Sequence, residues 1–260
     1  MVNKIKIDDE LVFSDEEFII IAGPCAVENQ NQMESIANFL SKLGIKIIRG
    51  GAFKPRTNPK SFQGLGFEGL KILKEIKDFY GFKVVSEIMD PRDIEKAYDY
   101  IDICQIGSRN MQNYSLLKEA GRIDKPILLK RGMSSTLDEW IKASDYIKME
   151  GNENIILCER GIRTFENYTR NTLDLMSVPI IKSKTKYPIL VDPSHGTGRR
   201  ELILPATKAS LILGANGVII EIHPQPDKAL SDGAQSLNFK EFEILLKEID
   251  QIRKLIKCNQ

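Results

Sequence analysis

The chain has 260 residues, 42% of them hydrophobic and 28% charged, enough for one sizeable core, and length alone admits two small domains or one large α/β barrel. Its 37 basic residues against 36 acidic ones leave no global field, which argues against nucleic acid or an acidic membrane as partner and makes any anion binding local. No apolar run reaches signal-peptide or membrane-span length, and Cys25, Cys104, Cys158 and Cys258 include no CxxC pair, so a soluble cytoplasmic protein with free thiols is expected.

Residues 3–13 alternate weakly and read as a short N-terminal hairpin or cap. A regular alternation of strand and helix then begins. Phe18 to Ala22 is a buried strand ending at Gly23-Pro24-Cys25, and Met33 to Leu43 is an amphipathic helix closed by Gly44. Strand Ile45 to Arg49 is followed by the loop 50–64, a helix from Phe67 to Tyr80 and strand Lys83 to Glu87. A helix begins near Pro91, a favoured first helical position, and strand Ile101 to Ile106 follows. Then come a helix over Met111 to Ala120, strand Pro126 to Lys130, a helix over Thr136 to Met149 and strand Asn154 to Cys158. A looser segment with some helix near Tyr168 to Asp174 leads to strand Pro188 to Asp192. A helix over Arg199 to Leu213, strand Gly217 to Ile222 and a helix from Phe239 to Ile256 complete the chain. Eight β/α units without a linker favour a (β/α)8 TIM barrel. The alternative, a pair of Rossmann-like domains, is disfavoured because no G-x-G-x-x-G lies at a strand-to-helix turn.

In such a barrel the C-terminal strand ends share one rim. They carry Cys25, Arg49, Glu87, Gly107-Ser108-Arg109, Lys130-Arg131, Glu159-Arg160, Asp192, His195 and Glu221. Thiol, imidazole and carboxylate together suit a first-row transition metal such as Mn, Fe, Co or Zn, whereas Mg or Ca would take oxygen ligands alone. Arg49, Lys54, Arg56, Arg109, Lys130 and Arg160 suit phosphate and carboxylate groups of a small substrate. Arg49, Lys130 and Arg160 end apolar strands, where an unpaired charge is costly, which points to a bound anion or partner. Cys104 and Cys158 read as core packing, Cys258 as part of a terminal tail, and His223, beside a proline, as a structural histidine.

Seven motifs occur in order: Gly23-Pro24-Cys25-Ala26-Val27-Glu28, Arg49-Gly50-Gly51-Ala52-Phe53-Lys54-Pro55-Arg56-Thr57, Ile106-Gly107-Ser108-Arg109-Asn110, Leu129-Lys130-Arg131-Gly132, Glu159-Arg160-Gly161-Ile162-Arg163, Asp192-Pro193-Ser194-His195, and Glu221-Ile222-His223-Pro224 through Ser231-Asp232-Gly233. Together they resemble 3-deoxy-D-arabino-heptulosonate 7-phosphate (DAHP) synthase, in its compact bacterial and archaeal type, from about residue 15 to the end. The resemblance implies a condensation of phosphoenolpyruvate with erythrose 4-phosphate and water, the first step of the shikimate pathway. Position by position it makes Cys25, His195, Glu221 and Asp232 the ligands of a divalent metal ion. Arg49, Lys54, Arg109, Lys130 and Arg160 match the phosphoenolpyruvate-binding cations, and Arg56 and Thr57 the group holding the phosphate of erythrose 4-phosphate. Glu87 with Lys54 is implied to steer the water or its proton, and Asp192 to orient water or the sugar hydroxyls. Arg163 meets either a substrate phosphate or an acidic partner at the rim.

Two rivals are weighed. 3-Deoxy-D-manno-octulosonate 8-phosphate synthase shares the chemistry with a five-carbon sugar phosphate, and Lys54-Pro55-Arg56-Thr57 is the discriminating stretch. A non-catalytic sugar-phosphate-binding barrel would not need all four ligand positions. The organisation expected is one catalytic domain over residues 1–260, with 1–14 as an N-terminal extension and no appended regulatory domain, since such a domain needs on the order of 50 residues. A homo-oligomer, dimer or tetramer, is expected from the family.

Overall fold

Eight short parallel strands close on one another in the computed structural model, which describes residues 1–258, with side chains through Ile256. In chain order they are β3 (Ile19–Gly23), β4 (Ile47–Arg49), β5 (Lys83–Glu87), β6 (Ile103–Ile106), β7 (Ile127–Lys130), β8 (Ile155–Glu159), β9 (Ile189–Val191) and β10 (Gly217–Glu221), and β10 pairs with β3 to close the barrel. Ahead of them β1 (Ile5–Lys6) and β2 (Val12–Phe13) form an antiparallel pair. The expected (β/α)8 barrel and its N-terminal hairpin are both present.

Helices α1 (Gln30–Lys42), α2 (Phe67–Tyr80), α3 (Pro91–Ala97), α4 (Tyr114–Gly121), α5 (Leu137–Lys148), α6 (Ser177–Lys184), α7 (Pro193–Thr197), α8 (Arg200–Ile212) and α9 (Phe239–Cys258) cover the sheet. Local chemistry sets several of their ends. Asp90 caps α3 ahead of Pro91, and Thr136 and Glu139 form a reciprocal capping box on α5. Cys258 is the last residue of α9, and its side chain lies outside the described ones. Among the described residues no helix is long and apolar enough to cross a membrane.

The two-residue period of the strands decides what reaches the site. Ile21, Ile47, Val85, Ile103, Leu128, Ile156, Cys158, Leu190 and Ile219 fill the barrel interior, and Ile5 and Phe13 of the hairpin join the same cluster. The hairpin sits at the strand starts: Asn216, just before β10, donates to the Ser14 carbonyl, and Lys83, opening β5, pairs with Asp8. Residues of opposite parity, among them Ile48, Val84, Cys104, Leu129, Leu157, Val191 and Ile220, pack under the helices. Continuing the inward parity one step past the apolar layer gives Arg49, Glu87, Gln105, Lys130, Arg160, Asp192 and Glu221.

The segment 168–174 is not helical, and this corrects the sequence reading. The helix of this unit is α6, further along, while Ile162 and Thr172 form an antiparallel bridge. The amides of Arg170, Asn171 and Thr172 donate to the carbonyls of Thr197, Gly196 and Ile162, so none is left for a helical turn.

Candidate active site

The C-terminal rim carries the charged strand ends. Arg49, Glu87, Lys130 and Glu221 are the last residues of β4, β5, β7 and β10. Arg160 and Asp192 follow β8 and β9 by one residue, and Cys25 follows β3 by two. Asp192 caps α7, accepting from the His195 amide at 2.9 Å, which fixes the turn that presents the imidazole.

Four donors meet here. Cys25 Sγ lies 3.2 Å from Asp232 Oδ2, His195 Nε2 lies 3.4 Å from Glu221 Oε1 and 3.8 Å from Asp232 Oδ2, and the donor atoms of all four side chains fall within 4.8 Å of one another. One thiol, one imidazole and two carboxylates in that space fit a first-row divalent ion. Asp192 Oδ2 sits 2.7 Å from His195 Nδ1, holding the ring proton on Nδ1 and leaving the Nε2 lone pair facing the other three groups.

Electrostatics follow from burial. Desolvation, reinforced by Glu221 and opposed by Lys54, pushes the Cys25 thiol up to about 12. Desolvation also lowers His195 from its usual value, against the pull of Asp192, which favours the neutral ring. Burial alone would raise Asp192, yet His195 and Lys130 hold it well below the usual carboxylate range.

Beside this cluster opens a cavity of about 290 Å3, lined by Arg49, Lys54, Arg56, Thr57, Glu87, Arg109, Lys130, Arg160, Arg170, His195 and Asp232 among others. Its cations differ in what they already hold. Arg49 donates to Glu221 at 2.7 Å and Lys130 to Asp192, so of the two alternatives expected at these strand ends, a bound anion or a partner, both residues have the second, a protein carboxylate. Lys54 Nζ lies 2.9 Å from Cys25 Sγ, and Arg56 donates to Ser231 Oγ at 2.7 Å. Among the described residues, Arg56, Arg109 and Arg160 have no carboxylate partner. Glu87 Oε2 accepts from Gln105 while Oε1 is buried without a partner.

The sequence profile of the DAHP synthetase I family matches residues 4–257. The chain belongs to that family. A relative from Thermotoga maritima, named phospho-2-dehydro-3-deoxyheptonate aldolase, is 54% identical over 235 residues, 90% of this chain and 70% of the relative. A 2-dehydro-3-deoxyphosphooctonate aldolase from Fusobacterium nucleatum is 31% identical over 276 residues, 98% of each chain. The crystal structure of the Thermotoga maritima DAHP synthase superposes with a TM-score of 0.95 at 50% identity, covering 98% of this chain and 74% of that one. A truncated form of that enzyme gives a TM-score of 0.91 at 47% identity, with 98% and 93% covered.

Within this family site the rim residues divide by parity. Arg131 and Glu159 point away from the cavity and pair at 2.8 Å, Arg131 also reaching Asp174, while Glu159 accepts from the Gly161 amide. Arg163 is exposed outside the cavity, without an ion pair among the described residues. His223 is buried with Nε2 3.5 Å from Glu28. Three residues at the site were not singled out by sequence reasoning: Gln105, Arg170 and Gln235. Gln105 alone had a signal, since it lies on the inward parity of β6.

Proposed function

We propose that this chain is a DAHP synthase, joining phosphoenolpyruvate to erythrose 4-phosphate with uptake of water to give DAHP and inorganic phosphate. The observation that carries the reading is the meeting of Cys25, His195, Glu221 and Asp232 within 4.8 Å beside a cavity whose lining includes Arg56, Arg109 and Arg160, without carboxylate partners among the described residues. A simple sugar-phosphate receptor has no use for the first of these features.

Arg109 and Arg160, which have no carboxylate partner among the described residues, take the phosphate and carboxylate of phosphoenolpyruvate. Arg49, Lys54 and Lys130 add positive field while engaged with Glu221, Cys25 and Asp192. Arg56 and Thr57, at the cavity wall beside Ser231, hold the phosphate of erythrose 4-phosphate. Two anchored substrates bring C3 of the enol to the aldehyde carbon without the entropy cost of a free encounter. Cys25, His195, Glu221 and Asp232 would hold a divalent ion of the Mn, Fe, Co or Zn type, which when bound supplies a Lewis acid that polarises the aldehyde oxygen. The free Oε1 of Glu87 accepts the proton of water adding at C2, with Lys54 steering it, and phosphate departs from C2. Asp192 fixes the His195 tautomer and ties it to Lys130.

The same reading takes the barrel as one catalytic domain in a cytoplasmic homo-oligomer. Its rival uses a five-carbon acceptor, and relatives named for that product share about 30% identity with nearly the whole chain. Phosphate release from phosphoenolpyruvate separates the two. The expected result is release with erythrose 4-phosphate, abolished by chelator and restored by Mn or Co. Preference for arabinose 5-phosphate supports the rival, and release with neither sugar rejects both.

A further inference from the structure

Arg170 lies on the segment between β8 and α6, carries none of the motifs, and lines the cavity. Its guanidinium reaches two acceptors on the segment after β10. Nη1 donates to Gln235 Oε1 at 2.7 Å and lies 3.3 Å from Asp232 Oδ1. Gln235 Nε2 in turn donates to Glu221 Oε2 at 2.6 Å. One side chain is therefore bound directly to one carboxylate of the four-donor cluster and, through a single buried amide, to the other.

The backbone around Arg170 reaches the third member. The Arg170 amide donates to the Thr197 carbonyl and Asn171 Nδ2 to the His195 carbonyl at 2.9 Å, so this segment is fastened to the turn that presents the imidazole. Asp232 also differs from every other described non-glycine residue in having a positive φ, 55°. A side chain is held in that left-handed region only where its surroundings impose it. Here the restraints are the ion pair to Arg170 and the bonds from Gln235 N and Ser236 Oγ to the Asp232 carbonyl. With Oδ1 turned toward Arg170, Oδ2 is left facing Cys25 and His195.

We propose that Arg170 is a positioning residue for the metal centre, setting the directions of the Asp232 and Glu221 carboxylates. This rests on the metal reading of the four-donor cluster. An ordinary rim ion pair of a partly exposed arginine would contribute little and leave metal binding unchanged. The bridge to two ligand carboxylates gives a different expectation, because partners that orient metal ligands change affinity by on the order of ten- to a hundredfold.

The test is a Co(II) titration of the chelator-stripped full chain, followed by the thiolate charge-transfer and ligand-field absorption bands. Wild-type protein is expected to show a thiolate band that Cys25→Ser abolishes. Arg170→Gln is expected to weaken Co(II) binding on the order of ten- to a hundredfold and to shift the ligand-field bands, while the metal-free variant melts with the wild type. Arg170→Lys, which keeps the charge but offers a single donor point, is expected to recover part of the affinity. It carries the test if Arg170→Gln does not fold. Wild-type affinity and an unshifted spectrum in a folded variant overturn the proposal and leave the metal reading standing. Absence of a Cys25-dependent band in the wild type overturns both.

Discussion

Cys25 Sγ and Asp232 Oδ2 lie 3.2 Å apart although 207 residues separate them in the chain. A single-file strand order brings them together: β10 returns beside β3, with Glu221 in register with Gly23, so the loops leaving those two strands are neighbours on the rim. Closure of the barrel is what assembles the candidate metal site.

Cys25→Ser is expected to lose bound metal and most turnover while the fold persists, since the residue sits on a rim turn rather than in a strand. Metal content after gel filtration, turnover and thermal melting check this together. Full chelator-sensitive activity in the variant would remove Cys25 from the ligand set.

Gly107→Ala addresses Glu87. A Cβ at position 107 would lie 2.0 Å from Glu87 Oε1, far inside van der Waals contact, so the carboxylate must move. Displacement of a reacting group by about 1 Å can cost on the order of a hundredfold in rate. The expectation is a fall in kcat of that order, with a much smaller change in KM for phosphoenolpyruvate, measured under saturating erythrose 4-phosphate.

Arg49→Met leaves the Glu221 carboxylate, fully buried, without its 2.7 Å partner. Breaking a buried pair from one side costs about 3–5 kcal/mol. Denaturant unfolding of metal-free protein is expected to show that loss, and adding Glu221→Gln to Arg49→Met is expected to recover part of it by removing the stranded charge.

The hairpin at the barrel floor carries a pH dependence of known sign. The hydrogen bond from Lys83 is the main influence that lowers Asp8 from its ordinary value of 3.8. A folded-state value below the unfolded one means that the contact contributes fully above pH 3.8 and is lost as pH falls from there through the folded value. Both side chains are partly exposed, so the effect is at most about 1 kcal/mol. Amide exchange in residues 5–13, corrected for intrinsic rates, is expected to quicken below pH 3.8 in the wild type and to show a smaller step in Lys83→Met, where only the Glu10 and Leu11 amides still favour the Asp8 carboxylate.

The strands and most helices were legible because their apolar runs are short, buried and punctuated by capping and stop residues such as Thr136 and Gly81. The motif residues reached the rim for the same reason. What the sequence concealed was pairing and irregular backbone. Lys130-Arg131 and Glu159-Arg160 look equivalent as pairs of charges, but one residue in each faces the cavity and its neighbour faces the helices. That distinction was recoverable from the alternation of Leu128 and Leu129, or of Ile156 and Leu157. Arg170 and Gln235 lay beyond reach, because the segment of Arg170 has no periodicity and bonds through its backbone to the distant turn at Thr197, while Gln235 closes a single short turn onto Asp232.

The most direct test of the whole account is anomalous diffraction from crystals soaked with Mn(II) or Co(II), recorded at the metal edge. One peak is predicted, within about 2.0–2.4 Å of Cys25 Sγ, His195 Nε2 and a carboxylate oxygen each of Glu221 and Asp232. No peak among these four side chains, or a peak bound elsewhere with the four left unligated, would contradict it.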